Sequence, residues 1–180
     1  MMPKKFKLMI ASVLAIIMLD QLTKYLVDTF IYYDYDARPP RGDSYTIIRN
    51  FFELTHHRNT GAAWGSLDGQ LTLFIIITVV ALGVFIYLAK DINYKTMFFY
   101  SLGITLLIGG TIGNFIDRLF RHDNAVVDML DFYIFGYNFP VFNVADMALT
   151  IGMFAFALDI FFLEPKRQVK NEGVTDEETV

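Results

Sequence analysis

Residues 71–89 read Leu71-Thr72-Leu73-Phe74-Ile75-Ile76-Ile77-Thr78-Val79-Val80-Ala81-Leu82-Gly83-Val84-Phe85-Ile86-Tyr87-Leu88-Ala89, without one charged side chain. As a helix rising about 1.5 Å per residue, the run nearly matches the ~30 Å hydrocarbon core of a bilayer. A stretch of that length and purity reads as a membrane span. Three more candidates flank it: Phe6–Phe30, Met97–Leu119 and Phe139–Leu163. Only 19% of the 180 residues are charged, below the roughly 25% usual in soluble domains, and 54% are hydrophobic. The fold class that follows is a membrane all-α protein with four transmembrane helices and a small β element.

The lysines give these spans a direction. Lys4, Lys5 and Lys7 precede the first span, Lys90 and Lys95 sit between the second and third, and Lys166, Arg167 and Lys170 follow the fourth. Four spans put all three clusters on one side, which the positive-inside rule makes cytoplasmic. The N-terminus could also be read as a cleaved signal peptide. Its apolar run continues past Asp20 to Phe30 without an A-x-A-like site, so an uncleaved first helix is expected. The loop Ile31–Gln70 then lies outside, its Arg38, Arg41, Arg49 and Arg58 balanced by Asp34, Asp36, Asp43 and Glu53. Within it Pro39, Pro40, Gly42 and Asp43 signal a turn, and Tyr45–Thr55 is rich in aromatic and β-branched residues. One or two hairpins on the outer surface are expected. Residues 1–167 form one transmembrane domain including the outer loop 31–70, and the polar residues 168–180 form a disordered cytoplasmic tail.

Composition also removes several functions. The chain has no cysteine, which excludes disulfides, thiolate metal sites and a cysteine nucleophile. No basic stripe supports nucleic-acid binding, and the net charge is -4. No H-E-x-x-H zinc motif and no G-x-S-x-G setting occur. Neither a metal nor another cofactor is expected.

Ionisable groups inside spans cost about 2.5–3.5 kcal/mol each on insertion scales, so each needs a reason. Asp20 and Lys24, four apart on one face of the first span, either neutralise each other for insertion or act directly. In the third span, Gly109 and Gly113 make a small-xxx-small face. Gly110, Asn114, Asp117 and Arg118 follow on a neighbouring face. Beyond it, Val126-Val127-Asp128-Met129-Leu130-Asp131-Phe132 sets two carboxylates into an apolar stretch, read as a loop. Asn143 and Asp146 open the fourth span three apart, as a cap and first-turn charge or as site residues. Four spans bring Asp20, Asn59, Asn114, Arg118, Asp128, Asn143 and Asp146 towards one layer near the outer interface.

Such a layer supports peptide hydrolysis by a carboxyl pair. An ionised carboxylate activates water while a protonated partner polarises the carbonyl and later protonates the amine. A transporter with a proton or cation path is the alternative, but it needs polar residues along the whole depth. The cytoplasmic halves of the spans are nearly free of charge apart from Asp159. A purely structural subunit would explain the glycines but not the carboxylates.

Five motifs, in order, resemble those of bacterial lipoprotein signal peptidase, or signal peptidase II. They are Asp20-Gln21-Leu22-Thr23-Lys24, Asn59-x-Gly61-Ala62-Ala63, Gly109-Gly110-x-x-Gly113-Asn114-x-x-Asp117-Arg118, Val126-Val127-Asp128 and Phe142-Asn143-x-Ala145-Asp146. The resemblance implies a four-helix membrane aspartic endopeptidase with an outer-face β-cradle. Such an enzyme cuts prolipoproteins before a diacylglyceryl-modified cysteine. It implies Asp128 and Asp146 as the catalytic dyad, with Asp20, Lys24, Asn59, Gly61, Asn114, Arg118, Asn143 and Ala145 supporting or binding substrate. Arg118 is expected to order the loop carrying Asp128, and Asp131 to have a local structural role. The expected setting is a multi-pass monomer in the bacterial cell membrane, contacting lipids and lipid-modified substrates. Phe120–Ala125 departs from the family pattern by its extra length.

Overall fold

The structure, a computed structural model, describes residues 2–37, 41–61 and 70–167. Pro39 and Pro40 of the turn signal, Ala62 and Ala63 of the second motif, and the tail from 168 onward lie outside the described residues. The chain order is α1 (Lys4–Phe30), β1 (Tyr33–Asp34), β2 (Arg41–Gly42), β3 (Ser44–Ile48) and β4 (Phe52–Asn59). Then come α2 (Leu71–Leu88), α3 (Phe98–Phe120), β5 (Val126–Ile134), β6 (Tyr137–Asn138) and α4 (Val144–Leu158). A 3-10 turn, Ala89–Asp91, extends α2, and α4 continues through a π-helical turn at Asp159–Leu163. Four helices are long and apolar enough to cross a membrane: Lys4–Phe30, Leu71–Asp91, Phe98–Phe120 and Val144–Arg167.

α3 is the axis of the bundle, because its glycines let two helices approach at once. A methyl group at Gly110 would lie 2.5 Å from the Ala145 carbonyl oxygen of α4. One at Gly113 would lie 2.8 Å from Asp20 Oδ2 of α1 and 3.1 Å from the Ala145 methyl. Gly109 meets Ile16 of α1 in the same way. The small-residue face therefore seats α1, and the adjacent face seats α4. α2 has no buried residue and touches α3 near its end, where the Tyr100 hydroxyl donates to the Leu88 carbonyl (2.9 Å). Around that contact Val13, Ile92, Ile104 and Ile108 form a core at the end of the bundle away from the sheet.

Two expectations need correction. The segment 126–134 is not a loop but a strand, β5, paired antiparallel with β4 in the sheet order β3-β4-β5-β6. Its first four residues are buried on both faces, so it runs through the protein rather than over it. The outer-loop hairpin β3-β4 thus gains a third strand from the connection between α3 and α4. The fourth span also begins at Val144, not Phe139. Pro140 cannot donate a backbone hydrogen bond, and Phe142 instead makes a bridge to Leu130 of β5. Asn143 then starts the helix with a capping box: its side chain accepts from the Asp146 N–H (2.9 Å), and Asp146 Oδ2 accepts from the Asn143 N–H (3.2 Å).

Candidate active site

Asp128 is 1% exposed, the third residue of β5, and both its oxygens are fixed. Asn59, at the end of β4, donates from Nδ2 to Oδ2 (3.0 Å). Asn143 donates from Nδ2 to Oδ1 (2.7 Å). The β4-β5 register puts His57 directly opposite Asp128, with Nδ1 3.9 Å from Oδ2. Asp146, in the first turn of α4, is held by Asn114 Nδ2 on Oδ1 (2.7 Å) and by the capping box on Oδ2. Asn143 therefore reaches both carboxylates, one through its side chain and the other through its backbone. The cap and the contacts with both carboxylates come from one geometry.

Behind this pair lies a buried ionic layer. Lys24 and Asp20 are fully buried and 2.8 Å apart, and Asp117 lies 2.8 Å from the same ammonium. The third Lys24 donation goes to Asn114 Oδ1 (2.9 Å), which orients that amide so that its Nδ2 faces Asp146. Asp20 also accepts from the Ala145 N–H (2.9 Å), tying α1 to the start of α4. The α1 pair thus acts on the site through Asn114 and Ala145. Gln21 donates to Asp20, Asp117 and the Gly113 carbonyl, and sequence reading assigned it no role. A second cluster passed unnoticed: Asp28 near the end of α1 binds Arg58 (2.7 Å) and Arg121, with His56 beside it (3.1 Å). Three elements converge there, and no spacing within any one of them announces it.

Arg118 makes no side-chain hydrogen bond to the strand carrying Asp128 among the described residues. Its Nη2 donates to the Gly61 carbonyl (2.7 Å), and its guanidinium lies 3.9 Å from the centre of the Phe74 ring. Gly61 in turn donates to Asn59 Oδ1 (3.1 Å). Arg118 therefore holds the exit of β4, and its hydrogen-bonded path to Asp128 runs through Gly61 and Asn59. Its Nη1 is buried without a hydrogen-bond partner among the described residues. These residues surround a cavity of about 390 Å³. Asn59, Asn114, Arg118, Asp128 and Asp146 supply its polar side, and Phe74, Val126, Phe139, Val141 and Phe142 supply apolar wall. Lys24 and Asp20 sit behind Asn114, away from the opening.

Asp131 stands apart from this cavity. It is three residues past Asp128 on one strand, so its side chain leaves the opposite face. It is 8% exposed, pairs in register with Glu53, and its Oδ1 has no hydrogen-bond partner among the described residues. Burial, then the Glu53 charge, pushes its carboxyl above the usual range, while His57 partly opposes them. A carboxyl raised in the folded state adds stability only while protonated, at low pH, and costs stability once pH rises through its folded value. Asp131→Asn should therefore raise the unfolding midpoint at pH 7 by about 2–4 °C, the scale of ~1 kcal/mol in such a chain. The gain should vanish near pH 4. Thermal unfolding in detergent at both values checks it, and a drop at pH 7 would refute the assignment.

Four apolar helices, with a cavity that holds Asp128 and Asp146 and is lined from α2, α3, α4 and the sheet, define a polytopic membrane protein. The chain belongs to the signal peptidase II family, a family of peptidases: the family model described as signal peptidase (SPase) II matches residues 12–162. It is similar to the lipoprotein signal peptidase of Staphylococcus haemolyticus, with 44% identity over 84% of this chain and 90% of that one. The lipoprotein signal peptidase of Anoxybacillus flavithermus is 43% identical over 88% of each chain. Two solved bacterial membrane enzymes share the fold. One aligns with a TM-score of 0.73 and 40% identity over 86% of this chain and 87% of its own. The other gives 0.72 and 39% over 87% and 94%.

Proposed function

We propose that this chain is a membrane aspartic endopeptidase that removes signal peptides from diacylglyceryl-modified prolipoproteins, cutting before the lipidated cysteine. Asp128 and Asp146 are the catalytic pair. The observation that carries this reading is Asn143, which hydrogen-bonds both carboxylates at the edge of one half-apolar cavity. One ionised carboxylate takes a proton from water, whose oxygen attacks the scissile carbonyl carbon. The other carboxyl, protonated, gives its proton to the carbonyl oxygen. The tetrahedral diol then returns one hydroxyl proton to the second carboxylate as its C–N bond breaks, and the proton first taken from water passes to the leaving amine. No covalent enzyme intermediate forms. The dyad titrates as a unit, so acid and base are roles rather than fixed residues.

Asn59 and Asn143 keep Asp128 in one rotamer, and Asn114 does the same for Asp146, so little reorganisation accompanies the proton transfers. The apolar wall suits the acyl chains of a substrate still seated in a leaflet. The working unit in this reading is a monomer. Purified protein should cleave a diacylglyceryl-modified prolipoprotein peptide before its cysteine and leave the unmodified peptide intact. Equal cleavage of both would remove the lipid requirement. Cleavage of neither by folded protein would overturn the reading.

In this proposal both termini are cytoplasmic, and the dyad lies near the outer face of the bacterial cell membrane. The exposed Ser44, at the start of β3, tests the direction. The chain has no native cysteine, so Ser44→Cys is a unique target. It should react with an impermeant maleimide added to intact cells. Labelling that appears only after the membrane is breached would reverse the topology.

A further inference from the structure

The β5-β6 hairpin turns through Phe135 and Gly136, since Ile134 pairs with Tyr137. Both turn residues have positive φ, 50° for Phe135 and 80° for Gly136. Two-residue hairpin loops require this, and asparagine, aspartate and glycine are the residues that tolerate it. The other two described non-glycine residues with positive φ are both asparagines, Asn50 and Asn124. A phenylalanine in that conformation is strained, and no contact among the described residues offsets the strain. Phe135 is fully exposed, at 105% of the reference area. In water such a tip would carry backbone strain and gain nothing from burying its ring.

The tip is not alone. Ile134, Tyr137 and Phe139 beside it are all exposed as well. Phe139 is followed within a few residues by α4, whose Met147, Ile151 and Phe154 form part of an exposed apolar face. α4 is among the helices apolar enough to cross a membrane, so that face meets acyl chains. The hairpin carries the lipid-facing surface onward from the helix onto the sheet. Aromatic side chains at that depth sit in the belt favoured at bilayer interfaces.

We infer that the Phe135–Gly136 hairpin is a membrane anchor, inserted into the leaflet on the dyad's side. Its occupant is the headgroup–acyl boundary of the bilayer itself. Phe139, Pro140 and Phe142, which follow the hairpin, line the carboxylate cavity. The anchor therefore sets that wall level with the lipid, so a lipidated chain can pass sideways into the cavity without crossing water. This consequence rests on the peptidase reading, whereas the insertion does not.

The cysteine-free chain allows a single nitroxide at Phe135→Cys, with Ser44→Cys as reference. In liposomes, power-saturation EPR should show the label at 135 accessible to oxygen and shielded from a nickel chelate, and the label at 44 the reverse. Chelate accessibility at 135 equal to that at 44 would overturn the anchor, whatever the protein cleaves. A second variant, Phe135→Asn, fits the turn better and removes the ring. It should keep the unfolding midpoint in detergent. In vesicles it should raise KM for a lipidated substrate roughly tenfold, with kcat within about twofold, if most of a phenylalanine's burial is lost. Unchanged KM in vesicles would also count against the anchor.

Discussion

Lys24→Met should lower the unfolding midpoint in detergent by roughly 6–20 °C. Lys24 is fully buried, and its ammonium has three N–H bonds with three acceptors: Asp20, Asp117 and Asn114 Oδ1. Its donor capacity is therefore used up. Methionine fills similar space but leaves two buried carboxylates without their shared cation. Breaking one partner from such a cluster costs about 3–5 kcal/mol, and a chain of this size loses about 2–4 °C per kcal/mol. Asp117 retains Arg121 (2.9 Å), and Asp20 retains only neutral donors. Adding Asp20→Asn to Lys24→Met should thus recover part of the loss, whereas adding Asp117→Asn should recover less. A midpoint within about 2 °C of wild type for Lys24→Met would show that the triad does not hold α1 to α3.

The four spans were legible because a bilayer imposes length and purity together, and Leu71–Ala89 has both. The start of the fourth was not. Phe139-Pro140-Val141-Phe142 is as apolar as the helix it precedes, and only the cap at Asn143 separates them. β5 escaped for a related reason. Val126–Ile134 is buried on both faces at its start, so it shows no alternation, and a short apolar run does not declare its period. Its partner β4 lies far back in the chain, with α2 and α3 between them, so no local turn chemistry marks the pairing. The site residues were more visible than the strand that carries one of them, because a carboxylate in an apolar run is costly enough to demand a reason. Arg118 shows the limit of that logic. Helical spacing placed it correctly beside Asn114, but its partner is the Gly61 carbonyl, and backbone acceptors have no sequence signature. The Asp28, Arg58 and Arg121 cluster joins three elements and was likewise silent.

Asp128→Asn and Asp146→Asn should each abolish cleavage of a lipidated prolipoprotein peptide, with kcat/KM falling by about 10³ or more. Asparagine keeps the size of the side chain and one of the two acceptor oxygens, so one of the two hydrogen bonds survives at each position. What it removes is the exchangeable proton, and hydrolysis by a carboxyl pair needs one proton given to the carbonyl oxygen and another, taken from water, given to the nitrogen. Expression and membrane insertion should be unaffected, because neither change removes any of the four apolar spans. The double variant should be little worse than either single one, since groups acting as one unit do not add. Asp131→Asn provides the contrast. It changes the same residue type on the same strand, but on the face turned away from the cavity, and should retain most activity. A dead Asp131→Asn beside an active Asp128→Asn would move the dyad to another carboxylate. Substantial cleavage by the Asp128→Asn, Asp146→Asn double variant would end the aspartic mechanism, because no other carboxylate among the described residues lines that cavity.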